Sequence, residues 1–453
     1  MSSVIASEAR QSNEQKNTAF EKRIKRQVIG KPHRFLAVIP LGFEQTFVRE
    51  ILAIPPDSGS PAGMTQSLKS TDIRILGDGK VEFTAKLVEA WKIVAFSRIA
   101  NRILMHIADF KAENFRDLEK KSADIPWELF LPNERHVDIH VTCKHSRLYH
   151  SDAVAERLYK VIEGGSREEP RNAPPQKIYV TLIDDRCTLW LDLAGEELYK
   201  RGHERFVNDA PLKETIAAAM IFEAISTLHT THPTSHITLI DPMAGSGTFS
   251  LEAAYMAGGL IPGKCRDFAL MHQPAFKPAT WNHIVNSAPS SRGFNIVTSD
   301  ISRKAVEIIR HNVASSPLAY HKNQKTSISP TVNPQVRDFF SYTAKEIADA
   351  CPGDASPVIV LNPPYGKRLD FDAPGLYTKI GKKLAELARD LAPLGKKLTV
   401  AILAPEDAPA SRYTCTANLL RECPSLDPDK NSDAKRIVTS HGGIGLNAFF
   451  AAF

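Results

Sequence analysis

Apolar and polar positions follow different spacings in the two halves of the chain. Up to about residue 193, short apolar runs that predict strands alternate with amphipathic helices, such as the helix over 42–52. From Asn208 onward the units lengthen, and a helix over 212–225 precedes a series of strands. Long alternation of this kind is typical of a parallel sheet covered by helices. The pattern therefore predicts an α/β fold in which a small module precedes a larger one.

The same patterns give the individual elements of each half. In the small module we expect strands over 33–40, 72–76, 81–84, 102–107, 136–142, 177–183 and 187–193, and helices over 42–52, 85–96, 115–123 and 151–162. In the larger module we expect strands over 236–240, 294–298, 335–336 and 358–361, and helices over 212–225, 249–256 and 303–313.

A distinctive tetrad follows the last predicted strand: Asn362, Pro363, Pro364 and Tyr365. The prolines end the strand, because they donate no hydrogen bond to a neighbouring strand. Ligands bind at the carboxyl ends of strands in open α/β sheets. There the Asn362 side-chain oxygen and the Pro363 carbonyl can accept both hydrogens of an exocyclic amine, while Tyr365 stacks on a planar ring. The alternative interpretation is a rigid turn after a core strand.

A glycine-containing turn, Asp241–Thr248, lies between a predicted strand and a predicted helix. Gly245 and Gly247 allow the backbone to approach a ligand at the helix N-terminus. The turn is neither a Walker A motif nor a three-glycine dinucleotide motif, so ATP and NAD are disfavoured. Asp300 and Asp338 follow the next two strands and could hold a ribose diol and an adenine amino group. Alternatively, single acidic residues after strands are caps or turn residues.

Length and charge refine this picture. A chain of 453 residues suggests two or three domains. The net charge is +6, and residues 1–34 hold eight Lys or Arg against three Glu. We therefore expect a flexible basic arm over 1–30 that either contacts phosphates or is merely solvated. With no secretory signal and no long apolar run, a cytoplasmic protein is expected. The six scattered cysteines predict reduced thiols and no zinc site.

Several of these motifs together resemble one family. Asp241–Thr248, the preceding Ala210–Thr215 and the tetrad extended to Arg368 resemble the S-adenosylmethionine-dependent N2-guanine RNA methyltransferases that carry a THUMP domain. The RlmL-like group, which acts on large-subunit ribosomal RNA, is the most similar type. Three further segments resemble the THUMP region and its junction: 125–127, 144–150 and 191–202.

The resemblance implies a Rossmann-like class I methyltransferase domain over 194–453, preceded by a ferredoxin-like part over 31–77 and a THUMP domain over 78–193. It implies S-adenosylmethionine as the cofactor, structured RNA as the partner, and no metal. The implied cofactor residues are Asp241, Ala244, Gly245, Gly247, Thr248, Asp300, Asp338 and Asn362. The implied catalytic residues are Asn362, Pro363, Pro364 and Tyr365, and the implied RNA-binding residues are Lys144, Arg147, Lys200, Arg201 and Arg368.

Two departures from the family pattern are visible. Ala244 stands where the family usually has cysteine, a change from which we expect little effect. An insertion over 258–291 carries Phe268, Phe276 and Trp281. This insertion either helps to form the substrate pocket or covers the sheet.

Other functions remain open at this stage. Ribosomal RNA is favoured over tRNA as the substrate, but the motifs do not exclude tRNA. Methylation of DNA adenine N6 or of protein glutamine can use the same tetrad, and a non-catalytic RNA-binding assembly factor could keep the fold. The sequence specifies neither the modified guanosine nor the oligomeric state.

Overall fold

Two seven-stranded sheets organise the protein. The computed structural model describes residues 17–54, 68–132, 136–164, 174–207, 211–228, 237–287, 294–321, 331–365, 371–406 and 414–453. Every strand of the first sheet precedes residue 193, and every strand of the second follows residue 236. The sheets therefore correspond to the two modules that the spacing predicts.

The first half of the chain contains seven strands and five helices among its described residues. The strands are β1 (Pro32–Val38), β2 (Ile73–Gly77), β3 (Lys80–Lys86), β4 (Arg102–Lys111), β5 (Val137–Lys144), β6 (Gln176–Ile183) and β7 (Arg186–Asp192). The helices are α1 (17–24), α2 (Glu44–Leu52), α3 (Leu87–Phe96), α4 (Phe115–Ala123) and α5 (Ser151–Glu163). The strand order is β2-β3-β1-β4-β7-β6-β5, and only β5 and β6 pair in parallel.

The first sheet covers two separate hydrophobic cores. β1, β3, α2 and α3 contribute Phe35, Phe83, Phe47 and Trp91, respectively, to a core shared with the second half of the chain. β5, β6, β7, α4 and α5 enclose a core of their own, which includes Val180 and Leu189. The transition from one core to the other occurs along β4, whose pairing with β7 shifts between His106 and Ala108. One continuous sheet therefore serves two lobes.

This arrangement corrects the predicted boundary at residues 77 and 78. Gly77 is the last residue of β2 and Asp78 begins the turn to β3, and the two strands form an antiparallel hairpin. The strand β1 also pairs with both β3 and β4. A cut at residue 77 would therefore separate hydrogen-bonded neighbours. The cores instead divide the lobes near the β4 irregularity.

The expectation of a flexible arm over 1–30 is wrong for its described part. Residues 17–24 are helical and continue as a π-helical segment, Lys25–Ile29. Ile24 and Val28 are buried in the shared core. Their spacing of four places both side chains on one helical face. Residues 1–16 lie outside the described part.

The second sheet belongs to the larger module. Its strands are β8 (Ile237–Asp241), β9 (Phe294–Asp300), β10 (Gln335–Val336), β11 (Ser356–Leu361), β12 (Thr399–Pro405), β13 (Lys435–His441) and β14 (Ile444–Ala452). Its helices are α6 (Glu214–Thr227), α7 (Thr248–Ala257), α8 (Pro278–Asn286), α9 (Arg303–Ser315), α10 (Pro317–His321), α11 (Ala344–Asp349), α12 (Ala373–Leu391) and α13 (Cys415–Glu422). No helix within the described ranges is both long and apolar enough to cross a bilayer.

The strand order of the second sheet is β10-β9-β8-β11-β12-β14-β13. The strands β10, β9, β8, β11 and β12 are parallel, whereas β14 is antiparallel to both of its neighbours. From β8 the chain builds toward β10 on one side and then crosses to β11 on the other. The carboxyl ends of β8, β9, β10 and β11 therefore meet at one edge, where the strand order reverses and ligands bind in such sheets.

All the cysteines lie among the described residues. All six are free, and Cys187, Cys351, Cys415 and Cys423 are buried. Burial raises the pKa of the Cys187 thiol to about 12. These thiols are therefore protonated at neutral pH and serve as small packing groups.

Candidate active site

The glycine loop begins at β8, which is buried along its whole length, and ends at α7. Gly247 has a φ of +81°, and a Cβ there would lie 3.0 Å from the Ile309 side chain. The fold therefore requires glycine at this position. Gly245 has a φ of +57°, and a Cβ there would meet nothing within 4 Å. Open space beside Gly245 leaves room for a ligand at the α7 N-terminus.

Asp300 fastens this loop to the end of β9. Its Oδ2 accepts a hydrogen bond from the Gly245 amide at 2.8 Å, and its Oδ1 accepts one from the Ser302 amide at 2.8 Å. The Ala244 amide donates to the Ser299 carbonyl at 3.1 Å. A carboxylate offers about four lone-pair sites, so Asp300 can hold the loop and still accept from two ligand hydroxyls.

Asp241 ends β8 and is 1% exposed. Its Oδ2 accepts from the Ser250 amide at 3.2 Å and from the Ser250 hydroxyl at 2.7 Å. Its Oδ1 is buried and has no hydrogen-bond partner. Burial raises the pKa of Asp241 to about 7, against the two Ser250 bonds that lower it, and the Asp300 charge raises it further. A cationic group or a hydrogen-bond donor of a ligand would therefore stabilise the ionised form of this carboxyl group.

Asn362 presents a second unpaired oxygen just beyond β11, the strand next to β8. Its Oδ1 is buried without a partner. All the other buried unpaired side-chain atoms in the described ranges are nitrogens or hydroxyl oxygens. Because buried acceptors are normally hydrogen-bonded, two unpaired ones at the ends of adjacent strands indicate a site that a donor ligand completes.

The rest of the tetrad surrounds Asn362. Pro363 is buried, Pro364 is exposed, and Tyr365 is partly buried against the shared core. Burial raises the pKa of the Tyr365 hydroxyl to about 12, so the ring stays neutral. Ala244 of the glycine loop packs against the same core. The structure thus brings the tetrad and the loop to one edge of the sheet.

Asp338 lies just beyond β10. Its Oδ1 caps the turn Phe339–Ser341 by accepting from the Phe340 amide at 3.0 Å. The neighbouring Arg337 amide donates to the Asp300 carbonyl at 2.9 Å, which joins this turn to the end of β9. Phe339 is buried in the core, and Phe340 is only half-buried. Asp338 is therefore a capping residue with lone pairs left for a ligand.

Sequence reasoning missed two residues at this edge. Ile301 follows Asp300 directly and is 70% exposed, which is unusual for an aliphatic side chain at a strand end. Arg205 donates to the Thr248 hydroxyl at 2.5 Å and to the Ser246 hydroxyl at 3.3 Å, and it also pairs with Glu214. An apolar residue directly after the acidic one was a signal for Ile301. Nothing local distinguishes Arg205 from other surface cations.

A cavity of about 700 Å³ lies beside α7. The connector 196–207 and one face of α7 line it, and Thr248 is the one predicted cofactor residue in its wall. Neither Asn362 nor Tyr365 lines it. The unpaired oxygens at the sheet edge therefore define the candidate active site better than this cavity does.

The predicted RNA-binding residues differ in accessibility. Lys144 is exposed at the end of β5. Arg147 is 65% exposed although it pairs with Glu113. Lys200 is 51% exposed and pairs with Glu196. Arg368 lies outside the described residues. Lys144, Arg147 and Lys200 thus remain able to reach a phosphate.

The prediction for Arg201 is wrong. Arg201 is 5% exposed, and its guanidinium donates to both oxygens of the buried Glu252 at 3.0 and 3.2 Å. It also donates to the Arg98 and Leu198 carbonyls. A side chain bound in this way joins the connector to α7 and cannot contact RNA.

The insertion packs on the first half of the chain. Phe276 contacts the buried Trp91 of α3 with ring centroids 5.6 Å apart, and Trp281 contacts Phe268 at 5.3 Å. Arg266 donates to the Glu197 carbonyl at 2.9 Å and to two neighbouring carbonyls. These contacts support a covering segment rather than a wall of the substrate pocket.

Comparison with solved structures identifies the fold. The chain resembles SMU.472, described as a methyltransferase and complexed with SAH, with a TM-score of 0.70 and 23% identity, over 93% of this chain and 98% of that one. The larger module therefore shares the Rossmann-like α/β fold of that protein. Residues 201–393 match the family model described as UPF0020: RMKL-like, methyltransferase domain. This segment is thus similar to a methyltransferase domain of that type.

Curated relatives extend the similarity to both halves. The ribosomal RNA large subunit methyltransferase K/L of Alteromonas mediterranea is 28% identical over 72% of this chain and 44% of its own length. The chain thus spans less than half the length of that relative. The protein slr0064 of Synechocystis sp., described as an RNA methyltransferase, is 28% identical over 68% of this chain and 78% of its own length.

Proposed function

We propose that this protein transfers a methyl group from S-adenosylmethionine to the exocyclic N2 of a guanosine in structured RNA, with large-subunit ribosomal RNA in the cytoplasm as the substrate. The observation that carries the proposal is the pair of buried unpaired oxygens, Asp241 Oδ1 and Asn362 Oδ1, at the ends of adjacent parallel strands. The Asp241 oxygen suits a cationic group of the cofactor, and the Asn362 oxygen suits the amine that receives the methyl group. The names of the K/L relatives support ribosomal RNA over tRNA.

The residues at this edge fit the cofactor. S-adenosylmethionine supplies an electrophilic methyl group on a sulfonium. Asp241 would bind a cationic group of the cofactor, because its free oxygen lacks a partner. Asp300 would accept from the ribose hydroxyls and Asp338 from the adenine amino group, with the exposed Ile301 against the adenine ring. Gly245, Gly247, Ala244 and Thr248 would form the loop beneath it.

Asn362, Pro363 and Tyr365 would position the guanine. The lone pair of guanine N2 is delocalised into the ring, so N2 is a weak nucleophile. Asn362 Oδ1 and the Pro363 carbonyl would accept its two hydrogens and stabilise the positive charge that develops on nitrogen. Tyr365 would stack on the extruded base, and Pro364 would stiffen the segment. The N2–C bond forms as the S–C bond breaks, and N2 then loses one proton to solvent.

The N-terminal half would hold the RNA. We assign to its second lobe the role of a THUMP domain, in which Lys144 and Arg147 contact phosphates, together with Lys200 in the connector. Arg368 would contact RNA beside the tetrad. In this proposal the boundary between the two lobes of the N-terminal half lies near the β4 irregularity.

Transfer of labelled methyl groups tests the proposal. The purified protein is incubated with labelled S-adenosylmethionine and ribosomal RNA, tRNA, DNA or protein, and the products are digested to nucleosides or amino acids. Label in N2-methylguanosine from large-subunit RNA is expected. Label in N6-methyladenine or methylglutamine would overturn the proposal. S-adenosylhomocysteine at 100 times its Kd should add about 2.7 kcal/mol of stability. The absence of any such shift would favour a non-catalytic RNA-binding factor.

A further inference from the structure

The second lobe has an open sheet face that no predicted site residue except Lys144 uses. Along β6, Ile178, Val180 and Leu182 point into the core, whereas Tyr179 and Thr181 are partly exposed. The same alternation runs along β5. Alternate residues of a strand lie on opposite faces, so one face packs on α4 and α5 and the other faces away from them.

Strand register aligns the side chains of this face in rows. At one end, Lys144 of β5 pairs with Ile183 of β6, Ile183 pairs with Arg186 of β7, and Arg186 pairs with Lys111 of β4. This basic row thus crosses four strands. Ile183 within it is 45% exposed. An exposed row with three cations and one aliphatic side chain is unusual for a merely solvated surface.

The charges of this end project outward. Arg186 and Lys111 are 67% and 66% exposed, whereas the carboxylates paired with them, Asp109 and Glu113, are 21% and 33% exposed. Asp109, which is the register partner of Thr188, and Glu113 are therefore less accessible than the cations that they pair with. Such an arrangement suits a polyanion, since phosphates can approach without meeting the acidic groups first.

An aromatic row lies four residues further along β5, β6 and β7, and five residues further along β4 because of its irregularity. His140, Tyr179, Trp190 and His106 are register partners across β5, β6, β7 and β4. The rings of His140 and Tyr179 stack with centroids 4.9 Å apart and an interplanar angle of 21°. His140 is 46% exposed, whereas Trp190 is buried. The accessible part of the row thus lies at the β5 edge.

Three threonines, Thr142, Thr181 and Thr188, lie between the basic and aromatic rows. From these rows we infer that the open face binds an unpaired segment of the RNA substrate. The basic row holds phosphates, the threonines hydrogen-bond the backbone, and a base stacks at His140. Bases must be unstacked to reach an aromatic surface, so a paired duplex fits poorly. The inference rests on the proposed function and assigns the RNA a form and a surface.

Binding of short fluorescent oligonucleotides to the full chain tests this surface. We compare a single-stranded RNA with a fully paired hairpin by anisotropy, at several salt concentrations. In the variant with Lys111→Gln, Lys144→Gln and Arg186→Gln, the slope of log K against log salt should become smaller in magnitude by about 2. Each of the three lost phosphate contacts accounts for about 0.7 of this change. His140→Ala should weaken single-strand binding roughly 5- to 150-fold.

The matched control removes three exposed cations from the helical side of the same lobe: Arg116→Gln, Lys120→Gln and Lys160→Gln. It should leave the slope unchanged. The inference is overturned if both variant sets behave alike, or if the hairpin binds as tightly as the single strand and responds equally to the basic-row changes. If the basic-row variant loses single-strand binding but the parent protein methylates no RNA, the proposed function is overturned while the inference about this surface stands.

Discussion

Two buried carboxyl groups of the larger module have opposite surroundings. Glu252 on α7 is 0% exposed, and three guanidinium nitrogens of Arg201 and Arg98 lie 3.0 to 3.5 Å from its oxygens. Asp241 at the end of β8 is 1% exposed, but only Ser250 donates to it, and one oxygen has no partner. The two residues lie eleven positions apart, on either side of the glycine loop.

The difference separates a structural group from a functional one. Glu252 joins α7 to the connector and to the N-terminal half, and removal of one partner of a buried pair is costly. Asp241 has no fixed counter-ion, so the protein keeps a raised pKa and an unused acceptor at the candidate site. Perturbed groups of this kind cluster at functional sites. The predictions below test either the structural network around Glu252 or the candidate site that includes Asp241.

The largest effect is expected for Asn362→Ala. This change removes the acceptor for the guanine amine, so methyl transfer should fall by about 10³-fold or more. Affinity for S-adenosylhomocysteine, measured by calorimetry, should change little. Asn295→Ala, at an exposed position on β9, is the control and should keep full activity. Retained methylation in the Asn362 variant would contradict the assigned role.

Glu252→Gln should destabilise the protein strongly. Two buried guanidinium groups would lose their counter-charge, at a cost of about 3–5 kcal/mol. The midpoint of thermal unfolding should fall by roughly 2–4 °C for each kcal/mol. Scanning calorimetry measures this midpoint. An unchanged midpoint would show that the Glu252 network is not structural.

Asp241→Asn should stabilise the cofactor-free protein, which is the opposite of the effect expected for Glu252→Gln. The pKa of Asp241 is raised from 3.8 to about 7 in the folded protein. Because this group ionises at a lower pH in the unfolded chain, the folded protein loses stability as the pH rises from about 4 to about 7. At pH 8 the asparagine variant should therefore unfold at a higher temperature, and at pH 4 the difference should vanish. The same variant should lose most of its stabilisation by S-adenosylhomocysteine. A lower midpoint at pH 8 would contradict this account of Asp241.

Cofactor affinity should depend on pH through the same group. If the ammonium group of the ligand binds the ionised carboxylate, the carboxyl group must lose its proton on binding below pH 7, and affinity should fall up to about tenfold per pH unit there. Above pH 7 it should level off. Titration of S-adenosylhomocysteine between pH 5.5 and 8.5 measures the profile. Asp241→Asn is the control, and an equally steep profile in that variant would assign the titration to another group.

The smallest effect is expected for Ala244→Cys. Ala244 contributes its amide to the loop and packs its methyl group against the shared core. A thiol is a slightly larger apolar group, so activity and stability should stay within about twofold and 0.5 kcal/mol of the parent. Parallel activity and unfolding measurements check this. A large loss would show that the loop is more tightly packed than its contacts indicate.

Local pattern was sufficient to predict much of this molecule. The helix α4 begins and ends at the predicted residues 115 and 123, and Asp241, Asp300 and Asn362 do lie at one sheet edge. These features depend on hydrophobic periodicity and on the shared edge of parallel strands. The strands β12, β13 and β14, which follow the tetrad, were not predicted because no motif in the sequence indicated them.

Errors arose where a distant partner decides the outcome. Arg201 sits in a basic run, but Glu252, fifty-one residues away, buries it. The boundary at residue 77 followed from the family resemblance, whereas pairing between β2 and β3 decides the lobe. Ile24 and Val28 were overlooked because the charges around them dominate the segment. Charge runs alone do not reveal which cations are paired.

Nucleoside mass spectrometry of large-subunit ribosomal RNA tests the central claim most directly. RNA is prepared from cells that lack the gene and from the same cells complemented with the parent or with Asn362→Ala. We predict a content of N2-methylguanosine that falls without the gene, returns with the parent and stays low with the variant. An unchanged content of N2-methylguanosine in ribosomal RNA and tRNA of all three strains would contradict the account.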